Sequence, residues 1–197
     1  MAPDQLLVGT VSCLKPQKSP EDFVRVAALV CQRVPAARCV LVGDGALRPK
    51  VEALLLEQGL QDRVTLLGWR RDVAALLKAF DVFVLTSQWE GLPCAILEAR
   101  ASRIPIVATR VGGAAEAIVE GIQGTLCPAG DVRAMAERVC QILEDERFRV
   151  DLRTGTQELP EEFTIQETLK QYQSLYAYLL HATRPSEDVM KLQPNRL

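Results

Sequence analysis

The chain has 197 residues, a length that suits one sizeable α/β domain. Its formal net charge of −2 argues against sequence-independent binding of DNA or RNA. No apolar run approaches about 18 residues, and the amino-terminal residues lack the layout of a signal peptide, so the sequence predicts a cytoplasmic protein with no transmembrane segment.

Cysteine and histidine usage narrows the possible chemistry. Six cysteines are scattered along the chain without a Cys-x-x-Cys pair, and most of them lie in apolar segments. They are predicted to be small buried hydrophobic residues and not metal ligands or disulfide partners. The single histidine, His181, lies near the carboxyl terminus, which argues against a Ser-His-Asp or Cys-His mechanism within this chain.

Short β-branched runs alternate with amphipathic stretches over most of the chain. Strands are predicted at residues 6–11, 39–42, 64–67, 82–85 and 106–108, with a weaker one at 125–127. Helical stripes run over 23–34, over 47–58 with Gly59 as the stop, and over 132–143 with Asp131 as the N-cap. This alternation predicts an α/β fold over residues 1–160, a doubly wound parallel sheet of the Rossmann-like type.

The alternation stops near residue 151. A helix is predicted over residues 161–181, with one apolar face formed by Ile165, Leu169, Tyr172, Tyr176 and Leu179. This face packs either on the sheet domain or on a second domain that the chain lacks. Residues 182–197 have no periodicity and are predicted to be a disordered tail.

Glycines and lysines follow the predicted strands, at the edge where open parallel sheets bind ligands. Glycine there allows backbone N–H groups to approach a ligand closely. The sequence lacks a P-loop, and Arg48 stands where the third glycine of G-x-G-x-x-G belongs. It also lacks an Asp-x-Asp pair for a nucleotide-bound Mg²⁺. The residues at this edge include Lys15, Lys18, Gly43, Gly45, Gly68, Gly112 and Gly113.

The stretch after the fourth predicted strand is the most informative. It reads Glu-Gly-Leu-Pro-Cys-Ala-Ile-Leu-Glu from Glu90 to Glu98, and Pro93 suits the first turn of a helix. Glu90 then lies in the loop before the helix and Glu98 lies within it. The two carboxylates can reach different hydroxyl groups of one elongated ligand whose phosphates meet the helix N-terminus.

These landmarks resemble a known family. From about residue 8 to residue 180 the chain is similar to the carboxyl-terminal, donor-binding half of retaining glycosyltransferases with the GT-B fold, the group with the E-x7-E motif. The matching landmarks are Val8-Gly9 with Lys18, Leu41 through Gly45, Arg63-Val64 through Gly68-Trp69, Asp81 through Val84 with Ser87, Glu90 through Glu98, Pro105 through Thr109, Gly112-Gly113 with Glu116, and Gly124, Pro128 and Gly130-Asp131.

The resemblance implies roles for individual residues. Lys18 contacts the donor diphosphate and stabilises the leaving group, and Glu90 lies near the transferred sugar, so both are candidate catalytic residues. Glu98 holds the ribose. Trp69, at the edge of the base pocket, is expected to pack on a neighbouring helix. The complete set of implied donor-binding residues is Gly9, Lys18, Glu90, Gly91, Leu92 and Glu98.

The implied reaction transfers a sugar, of the hexosyl type, from a nucleotide diphosphate donor to an acceptor hydroxyl with retention of configuration. No cofactor or metal is expected, because Lys18 and helix N–H groups neutralise the phosphates. The amino-terminal acceptor domain of the GT-B fold is missing from this chain, which is therefore expected to be inactive alone. The nucleobase, the sugar and the acceptor stay open.

One departure keeps other interpretations open. The family usually has an arginine on the diphosphate five residues before the lysine, and this chain has Cys13 there. Either Lys15 or a neighbouring backbone group replaces the positive charge of that arginine at the diphosphate, or the enzyme turns over poorly. The alternatives to a transferase are a non-catalytic module that binds nucleotide sugars and half of a sugar-nucleotide epimerase; the complete stretch from Glu90 to Glu98 argues against the epimerase.

Overall fold

A computed structural model describes residues 5–155 and 160–182 of the chain. The chain divides into two compact units at residues 158 and 159. The first unit contains the sheet and its flanking helices, and the second contains a long carboxyl-terminal helix.

The first unit is built on a six-stranded parallel sheet. Its strands are β1 (Leu6–Val11), β2 (Ala37–Val42), β3 (Val64–Gly68), β4 (Val82–Leu85), β5 (Ile106–Thr109) and β6 (Gly124–Cys127). The spatial order is β3-β2-β1-β4-β5-β6, and every pair in the sheet is parallel. The sequence-based bounds of β1 and β4 are confirmed, and the other four strands extend the predicted runs by one or two residues.

Helices connect the strands. In chain order they are α1 (Pro20–Arg33), α2 (Arg48–Glu57), α3 (Val73–Lys78), α4 (Cys94–Ala101), α5 (Ala114–Ala117), α6 (Val132–Glu144) and α7 (Glu146–Gly155), with a 3₁₀ turn at Pro16–Lys18. The predicted caps are confirmed. Asp131 accepts a hydrogen bond from the backbone N–H of Ala134 at 3.0 Å, and Gly59 after α2 has a φ of +64°.

Alternate residues of each strand enter two different hydrophobic cores, one on each face of the sheet. Val82 and Val84 of β4 pack with α1, α2 and α6, whereas Phe83 and Leu85 pack with α3, α4 and α5. All four side chains are buried. Coverage of both faces explains why the strands are almost continuously apolar, and it confirms the doubly wound α/β architecture.

The second unit contains a 3₁₀ turn at Glu161–Phe163 and the helix α8 (Ile165–Ala182). Helical spacing places the five predicted apolar residues on one face of α8, and the rings of Tyr172 and Tyr176 lie 6.2 Å apart. The predicted disordered tail lies outside the described residues, apart from residue 182, which ends α8.

The cysteines are free thiols, as predicted, and four of the six are buried. The sulfur atoms of Cys31 in α1 and Cys39 in β2 lie 4.0 Å apart. A hydrogen bond from Cys39 lowers the pKa of Cys31 to about 7, and the same contact together with burial raises the pKa of Cys39. Cys13 is half-buried and Cys94 is exposed.

Gly9 in the middle of β1 provides a test of how tightly the sheet packs. A Cβ at this position would collide with the ring of Phe80. Gly9→Ala is therefore expected to lower the free energy of unfolding by about 1–3 kcal/mol, measured by urea denaturation and circular dichroism.

The control for this prediction is the double variant with Phe80→Ala, because alanine lacks all of the ring atoms that the new Cβ meets. The double variant is expected to lose less stability than the sum of the two single variants. Additive losses would show that another cause requires glycine at this position.

Candidate functional site

The strand order places a crevice at the centre of the sheet. β1 and β4 are neighbours, and their connections lead to opposite halves of the sheet. The segment after β1, residues 12–19, therefore meets the segment after β4, residues 86–93, at the carboxyl edge. Open α/β sheets bind ligands at such a switch point.

An ion pair joins the two segments. The ammonium of Lys18 donates a hydrogen bond to Oε1 of Glu90, although the two residues are 72 positions apart in the chain. The side chain of Glu90 is 5% exposed and that of Lys18 is 17% exposed. The hydroxyl of Ser87 donates to the same carboxylate oxygen at 2.5 Å. The structure thus brings together the two residues that the sequence marks as catalytic candidates.

The backbone around Lys18 is held by Thr86. Its hydroxyl lies 3.0 Å from the carbonyl oxygens of both Lys18 and Ser19. Ser19 has a φ of +43°, an uncommon conformation for a residue with a side chain, between the 3₁₀ turn and α1. This sharp bend directs the chain from the 3₁₀ turn into α1, directly after Lys18.

Two glycines after β5 support the loop that contains Glu90. The backbone N–H of Gly113 donates to the carbonyl of Gly91 at 2.7 Å. A Cβ at Gly112 would collide with the carbonyl oxygen of Glu90, and the φ of Gly112 is +46°. Only glycine therefore fits between this loop and β5 without displacing Glu90.

The residues that follow Glu90 lead into α4. Gly91 and Leu92 are exposed at the sheet edge, and Pro93 occupies the N-cap position instead of the predicted first helical turn. Glu98 is exposed in α4 and lines a cavity of about 340 Å³ between α3 and α4, which also contains Lys78. Glu98 therefore faces a cavity between two helices, which does not include the buried side chain of Glu90.

A second cavity, of about 150 Å³, lies at the ends of β1 and β2. Cys13, Trp69 and Arg70 line it, and Val73 lines both cavities. Trp69 is 72% exposed, so the expectation that it packs on a helix is wrong. It stands in the turn between β3 and α3 with its ring open to solvent, because no helix covers that turn in the described part of the chain.

Two carboxylates near this second cavity are braced locally, which lowers the pKa of each. Asp44 accepts a hydrogen bond from the backbone N–H of Gly45, and this bond lowers the pKa of Asp44. The guanidinium of Arg48 also donates to Asp44 and lowers its pKa further. Arg70 forms a two-point ion pair with Asp72 at 2.8 and 2.6 Å, and this contact lowers the pKa of Asp72.

Gly9 and Asp81 lie away from the ligand edge. Gly9 is buried within β1 against Phe80, so its contact is with the core. Asp81 precedes β4 and accepts a hydrogen bond from the backbone N–H of Leu7 at 2.8 Å. Asp81 therefore joins the beginnings of the neighbouring strands β1 and β4.

Gln17 and Thr86 are site residues that sequence reasoning missed. Both bond across the junction between the two segments, and neither belongs to a motif or a periodic pattern. The one signal that could have found them is their position at the ligand edge: Gln17 follows predicted β1, and Thr86 follows predicted β4.

Metal and membrane features complete the description of the site. Within residues 5–155 and 160–182, no cluster of three or more His, Cys, Asp or Glu side chains could hold a metal ion. None of the helices in the same ranges has the length and hydropathy needed to cross a membrane.

The fold and the site together define a class of protein. The parallel Rossmann-like fold of the first unit matches the carboxyl-terminal domains of GT-B glycosyltransferases. TarM from S. aureus superposes with a TM-score of 0.81 over 88% of this chain and 36% of its own, at 23% identity. The chain belongs to the family "Glycosyl transferases group 1", whose model matches residues 2–159.

Curated relatives and a further structure agree with this family. The chain is 33% identical to N-acetyl-alpha-D-glucosaminyl L-malate synthase from Bacillus anthracis over 167 residues, which cover 84% of this chain and 44% of the relative. HepE from Anabaena, solved in complex with UDP and glucose, superposes with a TM-score of 0.73 at 28% identity, over 78% of this chain and 43% of its own. The chain thus spans less than half the length of these proteins.

The contact between Gly112 and Glu90 can be tested with a matched pair of glycines. Gly112 and Gly130 both have positive φ, of +46° and +78°, so alanine costs about 1–2 kcal/mol at either position. No atom lies within 4 Å of a Cβ at Gly130, whereas a Cβ at Gly112 meets the Glu90 carbonyl. Gly112→Ala is therefore expected to reduce the free energy of unfolding more than Gly130→Ala.

Chemical denaturation of both variants measures the difference. Equal losses of unfolding free energy in the two variants would show that the loop with Glu90 shifts without a cost in stability, so that the close contact with Gly112 does not constrain it.

Proposed function

We propose that this chain is the donor-binding part of a retaining glycosyltransferase that uses a nucleotide diphosphate sugar. The observation that carries the proposal is the buried pair of Lys18 and Glu90 at the switch point between β1 and β4. Family membership supports sugar transfer. UDP and glucose are the first ligands to test, since the HepE structure contains both.

In this proposal the diphosphate lies across the Lys18 ammonium and the N-terminus of α4. Negative charge accumulates on the diphosphate as the glycosidic bond breaks, and a fixed cation stabilises that charge. The exposed backbone at Gly91 and Leu92 adds N–H donors near the helix N-terminus. We assign neutralisation of the leaving group to these groups and not to a metal ion.

Glu90 and Glu98 have different partners in this proposal. Glu90 faces the transferred sugar, whose hydroxyls can donate to its carboxylate. Glu98 lines the cavity between α3 and α4, and its exposed carboxylate is assigned to the ribose hydroxyls. Lys18, Ser87 and Gln17 bond to Glu90 and hold it in place, and no double-displacement nucleophile is assigned.

A non-catalytic module that binds nucleotide sugars is the second candidate. Cys13 supports it, because a cysteine lines the cavity of about 150 Å³ at a position where the resemblance implies an arginine on the diphosphate. Such a module would bind UDP-glucose with the same residues but would not break its glycosidic bond. Donor consumption therefore distinguishes the two candidates.

The assigned contacts predict opposite binding patterns for two variants. Lys18→Ala is expected to weaken UDP binding about 10-fold to 100-fold and to leave uridine binding unchanged, since a charge-assisted contact to phosphate is worth about 1.5–3 kcal/mol. Glu98→Gln is expected to weaken uridine and UDP binding alike and to leave inorganic pyrophosphate unchanged.

Isothermal calorimetry with the three ligands measures these patterns. Lys170→Ala in α8 and Glu57→Gln in the last turn of α2 are the matched controls, because they make the same charge changes outside the two segments of the site. Loss of all three ligands in either test variant would indicate damage to the fold, and unchanged UDP binding by Lys18→Ala would refute the diphosphate role.

We also propose that transfer requires an amino-terminal acceptor-binding domain, because the chain covers under half of its relatives. The chain alone is expected to bind UDP and to consume UDP-glucose at a small fraction of the rate of the same chain joined to its amino-terminal domain. Release of UDP measures both rates. Equal rates would show that this chain contains the whole active site.

A further inference from the structure

Gln17 connects the two segments of the site more extensively than any motif suggests. Its backbone carbonyl accepts a hydrogen bond from the N–H of Gln88 at 2.8 Å. Its side-chain amide donates to the carbonyl of Trp89 at 2.9 Å and to Oε2 of Glu90 at 3.4 Å. Gln17 is half-buried, and it lies directly before Lys18 in the 3₁₀ turn. One residue therefore bonds to three consecutive positions of the opposite segment.

The two oxygens of the Glu90 carboxylate have different partners. Oε1 accepts from the Lys18 ammonium and the Ser87 hydroxyl, and Oε2 accepts from the Gln17 amide. A carboxylate can rotate about its last bond, and donors on both oxygens restrict that rotation. The contact from Gln17 thus helps to fix the plane of the carboxylate relative to Lys18.

We infer that Gln17 is a positioning residue, which fixes the orientation of the Glu90 carboxylate and thereby the place of the Lys18 ammonium at the sheet edge. This inference rests on the proposed function, because orientation of this pair matters chemically when a diphosphate sugar is the ligand. The amide is suited to the task, since it donates to the carboxylate without adding charge beside Lys18.

Gln17→Glu is the sharpest test, because the change is nearly isosteric and reverses the contact. The amide donor becomes a second carboxylate that faces Oε2 of Glu90, with Lys18 as the nearby cation. Two carboxylates at this distance share a proton, so they lose their protons in two separated steps. Carboxyl ¹³C NMR of the full chain with labelled glutamate is expected to show Glu90 titrating over a wider and higher pH range than in the parent.

The matched control is Gln88→Glu. The side chain of Gln88 donates to Asp22 at 3.2 Å, in the same junction but on the side of Arg25, away from Glu90. This variant also places a new carboxylate beside an existing one. It is expected to change the titration of Asp22 and to leave that of Glu90 as in the parent.

UDP affinity gives the functional readout. At pH 8 Gln17→Glu carries an extra negative charge beside Lys18, and a proton shared by the two carboxylates cancels that charge as the pH is lowered. The ratio of the variant Kd to the parent Kd is therefore expected to be about tenfold at pH 8 and to fall as the pH is lowered. For Gln88→Glu the same ratio is expected to stay constant with pH, because the new carboxylate faces Asp22 and does not change the charge beside Lys18 and Glu90.

The two readouts separate this inference from the proposed function. If Glu90 titrates in Gln17→Glu as it does in the parent, the orienting contact does not exist and the inference is overturned. If its titration changes but the parent does not bind UDP, the contact stands and the proposed ligand is wrong. If Gln17→Glu does not fold, Gln17→Ala replaces it in both measurements. An altered titration of Glu90 together with a weaker affinity for UDP would support the inference. Titration and affinity equal to those of the parent would overturn it.

Discussion

The buried ion pair between Lys18 and Glu90 is the interaction on which the candidate site depends. Removing two charges from water is costly, and their mutual attraction compensates only when further hydrogen bonds satisfy them. Ser87 and Gln17 provide those bonds to the carboxylate, which is 5% exposed. Loss of Lys18 would leave the buried carboxylate without its counter-charge, so the surrounding loops must hold both side chains in place.

The sheet topology is what brings the pair together. β1 and β4 are 71 or more residues apart in the chain but adjacent in space, so the residues that follow them meet at one edge. The next strand adds support, since the hydroxyl of Thr109 at the end of β5 donates to the carbonyl of Ser87 at 2.6 Å. Gly112 then packs under Glu90. Three adjacent strands therefore constrain one carboxylate.

The sequence predicted the strands and the position of this edge because both follow from local periodicity and from the rule for parallel sheets. The rule for parallel sheets placed Lys18 and Glu90 at this edge, and the resemblance to GT-B glycosyltransferases singled them out as candidate catalytic residues. Their pairing and the role of Gln17 were not, because they depend on a 3₁₀ turn and on the left-handed Ser19, which no periodic pattern encodes. Trp69 was misjudged because a large apolar side chain is usually buried, whereas this one follows a glycine with a φ of +64° in an open turn.

The ion pair also has a consequence for selectivity among ligands. The Lys18 charge is already balanced by Glu90, so under the proposed function a diphosphate must compete with that carboxylate for the ammonium. A ligand with phosphate alone draws Lys18 away and leaves Glu90 buried with fewer partners, which is unfavourable. A ligand that joins a diphosphate to a sugar can replace both contacts, with phosphate on Lys18 and hydroxyl donors on Glu90. The pairing thus favours a ligand with both groups over either fragment.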